Sequence, residues 1–269
     1  LRNLIKLTRK FGLQHNLPNV PSLAIGSAEA TVLEMTAAYS AFPNSGLRAE
    51  PFMIQSMNNR QGEELESHII SKKHVLSPQN AFFVTSMLRD VNTRGTAAKV
   101  WGSGFKIPSG GKTGTTNEYV DAWYIGFTPE YTLGIWVGAD DNTAMGLGHT
   151  GGQASTPIWI KTMKAIYKKD PTTGSFKKPS SIGNISLCPK SNLHASKKCP
   201  QKGRSHDFFP RGRYPKKCVP SVDHIEQTPT NIENNITAIK KIPKISGLIN
   251  SAIIYHSPAT FLLSLHNDF

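Results

Sequence analysis

The stretch that decides the fold is Ser109-Gly110-Gly111-Lys112-Thr113-Gly114-Thr115-Thr116, which two further β-like segments follow. On a strand, alternation sends Lys112 and Gly114 to one face and Thr113 and Thr115 to the other. Because Gly114 has no side chain, a ligand or another backbone can approach the strand closely there. Two hydroxyls and a cation beside an open strand edge favour docking of an extended peptide that ends in a carboxylate.

The surrounding sequence predicts an α+β fold with an antiparallel sheet. The link Pro129-Glu130 is short enough for a hairpin, so the last two of three predicted strands should pair antiparallel. Helices before the strands and one after them complete the α+β order. The predicted strands are 52–54, 111–116, 122–128 and 131–138, and the predicted helices are 29–42, 78–90 and 156–167.

A phosphate-binding loop is the main rival interpretation of the Gly-Lys-Thr triplet. Gly111-Lys112-Thr113 matches the end of G-x-x-x-x-G-K-[ST], but that motif needs glycine at position 106, where Lys106 stands. A plain polar strand is the simpler interpretation of an isolated K-T-G. The surrounding segments therefore decide between these hypotheses.

Seven segments of this chain closely resemble the class A penicillin-binding proteins, in order and in spacing. Together they extend over about residues 10–170. They are 21–26, 29–39, 44–46, 94–97, 110–116, 121–129 and 134–138.

The resemblance implies a β-lactamase/D,D-transpeptidase-like fold and serine acyltransfer in peptidoglycan biosynthesis. In such a reaction the serine of an S-x-x-K motif attacks a D-Ala-D-Ala stem peptide, and β-lactam antibiotics trap that serine. It also implies a parent protein with a glycosyltransferase domain and an N-terminal membrane anchor, on the extracytoplasmic face of the cytoplasmic membrane. No cofactor is implied.

The same resemblance assigns roles to the residues of the K-T-G segment. Lys112 would supply positive charge to the substrate carboxylate and to the proton network of the site. Thr113 and Thr115 would bind the carboxylate, and the Thr115 backbone N–H would be one oxyanion-hole donor. Gly114 would keep the strand open for the ligand. Thr116 and Asn117 would contact substrate, with a plain turn as the alternative.

The nucleophile motif has only lookalikes in this sequence. Ser103, Ser109 and Ser175 each begin an S-x-x-K, and Ser56-Met57-Asn58 fits S-x-N, yet none has the position that the family requires. Residue 1 is expected to follow both true motifs, so we predict that this polypeptide is inactive by itself. A non-catalytic remnant and a serine β-lactamase remain as alternatives.

The net charge of +13 comes from one segment, because fifteen Lys and Arg oppose two acidic residues between 161 and 220. Composition divides the chain into a packed domain, 1–170, and a basic, poorly ordered tail, 171–269. A polyanion-binding tail is a further alternative, but its sparse aromatic residues do not favour specific nucleic-acid binding. No apolar run is long enough to span a membrane.

The three cysteines, Cys188, Cys199 and Cys218, all lie in the predicted tail. They contain no C-x-x-C pair, so no metal site is expected, although His194 and His206 are available to a zinc site. One disulfide with a leftover thiol is the alternative.

Two other polar groups and a set of aromatic residues receive structural interpretations. Asp140-Asp141-Asn142 is interpreted as a turn rather than a metal site, and His149 as a loop residue. Asp121 either orients the strand beside the K-T-G segment or stabilises a turn. Core or cross-strand packing is predicted for Trp123, Tyr124, Phe127 and Trp136, with Trp123 or Tyr124 lining the cleft as the alternative.

Overall fold

The computed structural model describes residues 1–171 and 173–224, which belong to two compact units. The first unit is formed by Leu1–Lys178, and the second begins at Pro179. None of the helices in these residues combines the length and apolarity needed to cross a bilayer. The helices are α1 (Arg2–Lys10), α2 (Val32–Ala38), α3 (Pro78–Arg94), α4 (Lys99–Gly102), α5 (Ser155–Lys169) and α6 (Pro220–Asp223).

The strands of the described residues form four small antiparallel sheets, of which the three-stranded one is central to the first unit. They are β1 (Leu47–Ala49), β2 (Ser56–Asn58), β3 (Glu64–Ser67), β4 (Lys72–His74), β5 (Gly110–Thr115), β6 (Asp121–Phe127), β7 (Thr132–Gly138), β8 (Ile182–Leu187) and β9 (Ser205–Pro210).

The central sheet has the order β5-β6-β7, with both pairs antiparallel. Lys112 lies opposite Ile125, and Gly114 lies opposite Trp123. The predicted α+β class, the three strands and the hairpin at Pro129-Glu130 are confirmed, because each observed strand begins and ends within one residue of its prediction.

One face of the sheet is covered by α5 and by the segment that contains α4. Trp159 of α5 is fully buried, and its indole packs edge-on against Tyr124 with ring centroids 5.4 Å apart. The indole Nε1–H donates to the Gly126 carbonyl at 3.2 Å. A Cβ on Gly126 would lie 2.6 Å from that indole, so glycine is required for this helix–sheet contact.

The opposite face of the sheet packs against α2 and the 3-10 turn that follows it. Met35 and Tyr39 form a buried cluster with Ile125 of β6. The helix begins with the predicted capping box: Thr31 Oγ1 accepts from the Glu34 N–H at 3.1 Å, and Glu34 accepts from the Thr31 N–H at 3.0 Å. Two helix-covered faces place the sheet at the centre of the core.

The prediction of a strand at 52–54 is wrong. The neighbouring hairpin instead pairs β2 with β3 around a turn in which Asn59 Oδ1 accepts from the N–H groups of Gln61 and Glu63. Met53 is 99% exposed and Ile54 is 64% exposed, while the Phe52 ring stacks on His68 with centroids 4.5 Å apart, so most of this short apolar run is not buried. Helix α2 is also shorter than the predicted 29–42.

In the second unit, β8 and β9 pair antiparallel over six residues each. Composition predicted a poorly ordered tail from residue 171, but the chain between 179 and 224 forms this hairpin instead. Its buried hydrophobic residues are Ile182, Leu187 and the three cysteines, which replace the aliphatic core that the composition lacks. The rest of the predicted tail, 225–269, lies outside the described residues.

Candidate functional site

Strand β5 is an edge strand of the central sheet. It pairs with β6 on one side, and no other strand within residues 1–171 and 173–224 pairs with its outer edge. The start of the strand lies beside α3, because a Cβ on Gly110 would be 3.3 Å from the Arg89 backbone nitrogen. An unpaired outer edge is the condition for adding an extended peptide as a further strand.

Lys112 lies on the sheet face of Ile125 and Trp123 and is half-buried. Its Nζ donates to the backbone carbonyl of Thr113 at 2.7 Å. The described residues place no carboxylate in an ion pair with it. Burial lowers the pKa of Lys112, because desolvation disfavours the charged ammonium. A half-buried ammonium without a counter-ion suits an incoming carboxylate.

The Thr113 side chain lies on the other face and is 8% exposed. Its Oγ1 lies 2.8 Å from Oγ1 of Thr96, so the two hydroxyls share a hydrogen bond. Thr96 follows the end of α3, in the Arg94-Gly95-Thr96-Ala97 segment. It received no role from the sequence, because a contact between residues seventeen positions apart has no local signal.

Thr115 is fixed by a loop that follows β7. Its Oγ1 accepts a hydrogen bond from the Gly151 N–H at 3.1 Å. A Cβ on Gly151 would lie 2.1 Å from the Trp123 carbonyl oxygen and 2.6 Å from the Gly114 carbonyl oxygen. Only glycine permits so close an approach to backbone atoms, so Gly151 is a second residue that sequence reasoning missed.

Beyond the strand, Thr116 closes the turn into β6. Its Oγ1 accepts from the Asp121 N–H at 2.8 Å, which agrees with the plain-turn alternative. Asp121 Oδ1 accepts from Trp136 Nε1 at 2.7 Å, which ties the start of β6 to β7. Asn117 begins a short 3-10 turn, and its side chain lies outside the described part of the structure.

A buried polar network connects α3 to the sheet behind the K-T-G strand. The Tyr124 hydroxyl donates to Asn92 Oδ1 at 2.7 Å, and Asn92 Nδ2 donates to Ser109 Oγ at 3.2 Å. Desolvation raises the pKa of Tyr124 far above its ordinary value, so the hydroxyl stays a donor. Gly111 makes room for that hydroxyl, since a Cβ there would lie 2.4 Å from it.

The serines of the three S-x-x-K lookalikes lie away from helix starts. Ser103 follows the end of α4, and its Oγ donates to the Val100 carbonyl at 2.7 Å. Ser109 is buried in the network above, and Ser175 lies outside helices and strands. None of the three begins a helix, where a lysine one turn later would face the same cleft. Ser56 of the S-x-N lookalike lies on the exposed strand β2.

An apolar cavity of about 430 Å³ opens on the sheet face that carries Lys112. Its lining is largely aliphatic and aromatic and includes Leu7, Phe11, Met35, Tyr39 and Trp123. Since Trp123 lies opposite Gly114, this cavity reaches the neighbourhood of the K-T-G strand.

The remaining polar groups have the structural roles that the sequence indicated. Asp141 Oδ1 accepts from the Thr143 N–H at 3.0 Å in a turn. His149 is an exposed loop residue whose Nδ1 lies 3.2 Å from the Gly146 carbonyl oxygen.

Comparisons with known proteins match the region of the chain that contains the K-T-G strand. The family model of the penicillin binding protein transpeptidase domain matches residues 9–164. Penicillin-binding protein 1A of Aquifex aeolicus is 35% identical over 196 residues, which are 73% of this chain and 26% of that protein. Penicillin-binding protein 2D of Bacillus subtilis is 28% identical over 84% of this chain and 33% of its own length. The chain thus spans about a quarter to a third of these relatives.

A solved structure gives the same answer for the fold. The crystal structure of penicillin-binding protein 1A from Haemophilus influenzae superposes with a TM-score of 0.69 at 26% identity. The match covers 78% of this chain and 36% of that one.

Proposed function

The chain belongs to the penicillin-binding protein transpeptidase family, and on that premise we propose that its strand β5 is the substrate-binding strand of a peptidoglycan cross-linking D,D-transpeptidase. The substrates would be D-Ala-D-Ala stem peptides, and β-lactams would be inhibitors. The parent protein would act on the extracytoplasmic face of the cytoplasmic membrane, held there by an anchor outside this chain.

The observation that carries the proposal is the outer edge of β5 beside the half-buried Lys112. Within the described residues that edge has no strand partner and Lys112 has no counter-ion. A stem peptide laid along this edge would gain backbone hydrogen bonds as an added strand. Its terminal carboxylate would meet the Lys112 ammonium and the Thr113 and Thr115 hydroxyls.

The acyl-transfer step would need groups beyond this strand. The Thr115 backbone N–H would donate to the oxyanion that forms when a serine attacks the penultimate carbonyl. That serine would come from an S-x-x-K segment outside residues 1–269, because the three lookalikes in the chain do not begin helices. The chain by itself would therefore bind without being acylated.

The test begins with the gene sequence upstream of the Leu1 codon, where S-x-x-K and S-x-N motifs are expected. The product of the whole gene is then labelled with a fluorescent penicillin. Lys112→Ala should slow labelling by about 10²-fold or more, since removing an electrostatic stabiliser of the transition state has an effect of that size.

Lys106→Ala is the matched control, because Lys106 is also the last residue of an S-x-x-K lookalike but is exposed over the Trp101 ring. It should label at the wild-type rate. Equal labelling of the Lys112→Ala and wild-type proteins would overturn the proposal. Rapid hydrolysis of the bound antibiotic would instead identify a β-lactamase.

A further inference from the structure

Three cysteines and a histidine converge in the second unit, far along the sequence from the K-T-G segment. We name this group the cysteine–histidine cluster. Its members are Cys188, Cys199, Cys218 and His224. Each offers one ligand atom, and these four atoms all lie within 4.8 Å of one another. The cysteines are buried and unpaired by disulfides, and the histidine is half-buried.

The distances fit a tetrahedral metal site. His224 Nε2 lies 3.0 Å from Cys188 Sγ and 3.2 Å from Cys218 Sγ. Around a tetrahedral zinc ion with Zn–S near 2.3 Å and Zn–N near 2.0 Å, ligand atoms are separated by about 3.5–3.8 Å. Movements of a few tenths of an ångström would bring these two pairs to that separation.

Two neighbouring serines donate hydrogen bonds to sulfur atoms of the cluster. The Ser196 N–H donates to Cys199 Sγ at 3.3 Å, and the Ser191 hydroxyl donates to Cys218 Sγ at 3.2 Å. Hydrogen bonds of this kind orient metal ligands and tune the metal.

The charge of the unit is complementary to such a site. Three thiolates, a neutral imidazole and Zn²⁺ carry a net charge of −1. Between 179 and 224 the chain has nine Lys and Arg and two Asp, so the surroundings are strongly basic. Positive surroundings lower the cost of the excess negative charge.

The hydrophobic core of the second unit is small among its described residues. Of its five buried hydrophobic residues among 179–224, three are the cysteines themselves. Units of this size with so small a core usually need a disulfide or a metal ion. A single disulfide would use two of the three sulfurs and leave the third thiol and the imidazole without a function.

We propose that the cysteine–histidine cluster binds one structural zinc ion. The four ligands close the coordination shell, so the site is structural and leaves no position for substrate. On binding, each thiol that coordinates releases its proton to solvent. Sequence reasoning missed the site because the ligand spacing has no C-x-x-C pair, and because it considered His194 and His206 rather than His224.

The test uses the full 269-residue chain, prepared with a reductant that does not bind metal and supplied with Zn²⁺. After desalting, elemental analysis should find one zinc ion per chain. Cys199→Ser and His224→Asn should each weaken zinc binding by at least about 100-fold, above the 10- to 100-fold cost of outer-shell changes. Competition with a chromophoric chelator measures this affinity.

His206→Asn is the matched control, because His206 lies in the same unit and only approaches Ser186 Oγ at 3.3 Å. It should bind zinc as the wild type does. If a cysteine variant precipitates, Co²⁺ added to the wild-type chain decides: thiolate-to-cobalt charge-transfer bands that a chelator abolishes support the site, and their absence refutes it. Zinc-free wild-type protein after reconstitution, or unchanged affinity in both ligand variants, would overturn the proposal.

Discussion

At the scale of single residues, the charge of Lys112 should make stability depend on pH. The folded-state pKa is lowered by burial, so the unfolded chain keeps this proton to higher pH. Between the two pKa values the unfolded state binds more protons, and the free energy of unfolding therefore rises with pH across that alkaline window. Urea unfolding at several pH values should show this rise in the wild type.

Lys112→Met isolates this effect from other alkaline titrations. The free energy of unfolding of the wild type, minus that of Lys112→Met, should increase as pH rises towards the ordinary lysine pKa. A difference that stays constant with pH would contradict the burial of the ammonium.

Gly151 is expected to tolerate no side chain. Gly151→Ala would place a Cβ 2.1 Å from the Trp123 carbonyl oxygen, where only backbone atoms would have to move. We expect a loss of about 1–3 kcal/mol in the free energy of unfolding, the usual cost of overpacking. Gly102→Ala is the control, because no described atom outside its chain neighbours and its own helix backbone lies within 4 Å of the added Cβ. Chemical denaturation should show no such loss for this variant.

Single residues differ in how far sequence predicts them. Lys112 and the two threonines of β5 were identifiable, since their spacing and chemistry lie within one strand. Thr96 and Gly151 were not assigned roles, because their functions depend on contacts with residues 17 and 36 positions away. The roles of the K-T-G residues in catalysis stay predictions.

At the scale of elements, the start of α2 depends on its capping box. Thr31→Ala removes the oxygen that accepts from the Glu34 N–H. The expected loss is about 1 kcal/mol in the free energy of unfolding, typical of an N-cap. Glu29→Gln, an exposed change before the cap, should cost nothing measurable in thermal or urea unfolding; an equal loss in both variants would refute the assignment.

The contact between α3 and the central sheet depends on the Tyr124 hydroxyl. Tyr124→Phe would leave buried Asn92 Oδ1 without its donor, at a cost of about 1–3 kcal/mol. Tyr131→Phe is the matched control, since its hydroxyl donates to Asp170 in an exposed pair at 3.0 Å. Urea unfolding of both variants should show the larger loss only in Tyr124→Phe, and the reverse order would contradict the network.

Helices and strands were predictable where the apolar residues that set the sequence period are also the buried residues of the structure. The three strands β5 to β7 and helix α5 have long apolar patterns bounded by turns, and their predicted bounds were nearly correct. The run at 52–54 failed because three apolar residues alone do not distinguish a buried strand from an exposed loop. The hairpin of β8 and β9 has too few aliphatic residues to signal a core.

At the scale of the whole molecule, the two units are stabilised in different ways. Residues of the first unit bury large aromatic and aliphatic side chains on both faces of a sheet, a pattern that periodicity reveals. The second unit is organised around cysteines that lie far apart in sequence and meet only after folding. Composition alone therefore predicted a tail. It reflects the high charge and the lack of aliphatic residues, but it does not show that distant cysteines come together in the folded chain.

The last prediction concerns the reactivity of the whole chain. Under the proposed function this chain supplies one side of a transpeptidase site, but within residues 1–171 and 173–224 no serine begins a helix with a lysine one turn later. Incubation with fluorescent penicillin should therefore leave the isolated chain unlabelled, as judged by denaturing gel and intact mass. Ser103→Ala should give the same result, because Ser103 Oγ is bonded to the Val100 carbonyl. Labelling that Ser103→Ala abolishes would mean that α4 presents a nucleophile, and the active site would then have to be placed at its end instead of along β5.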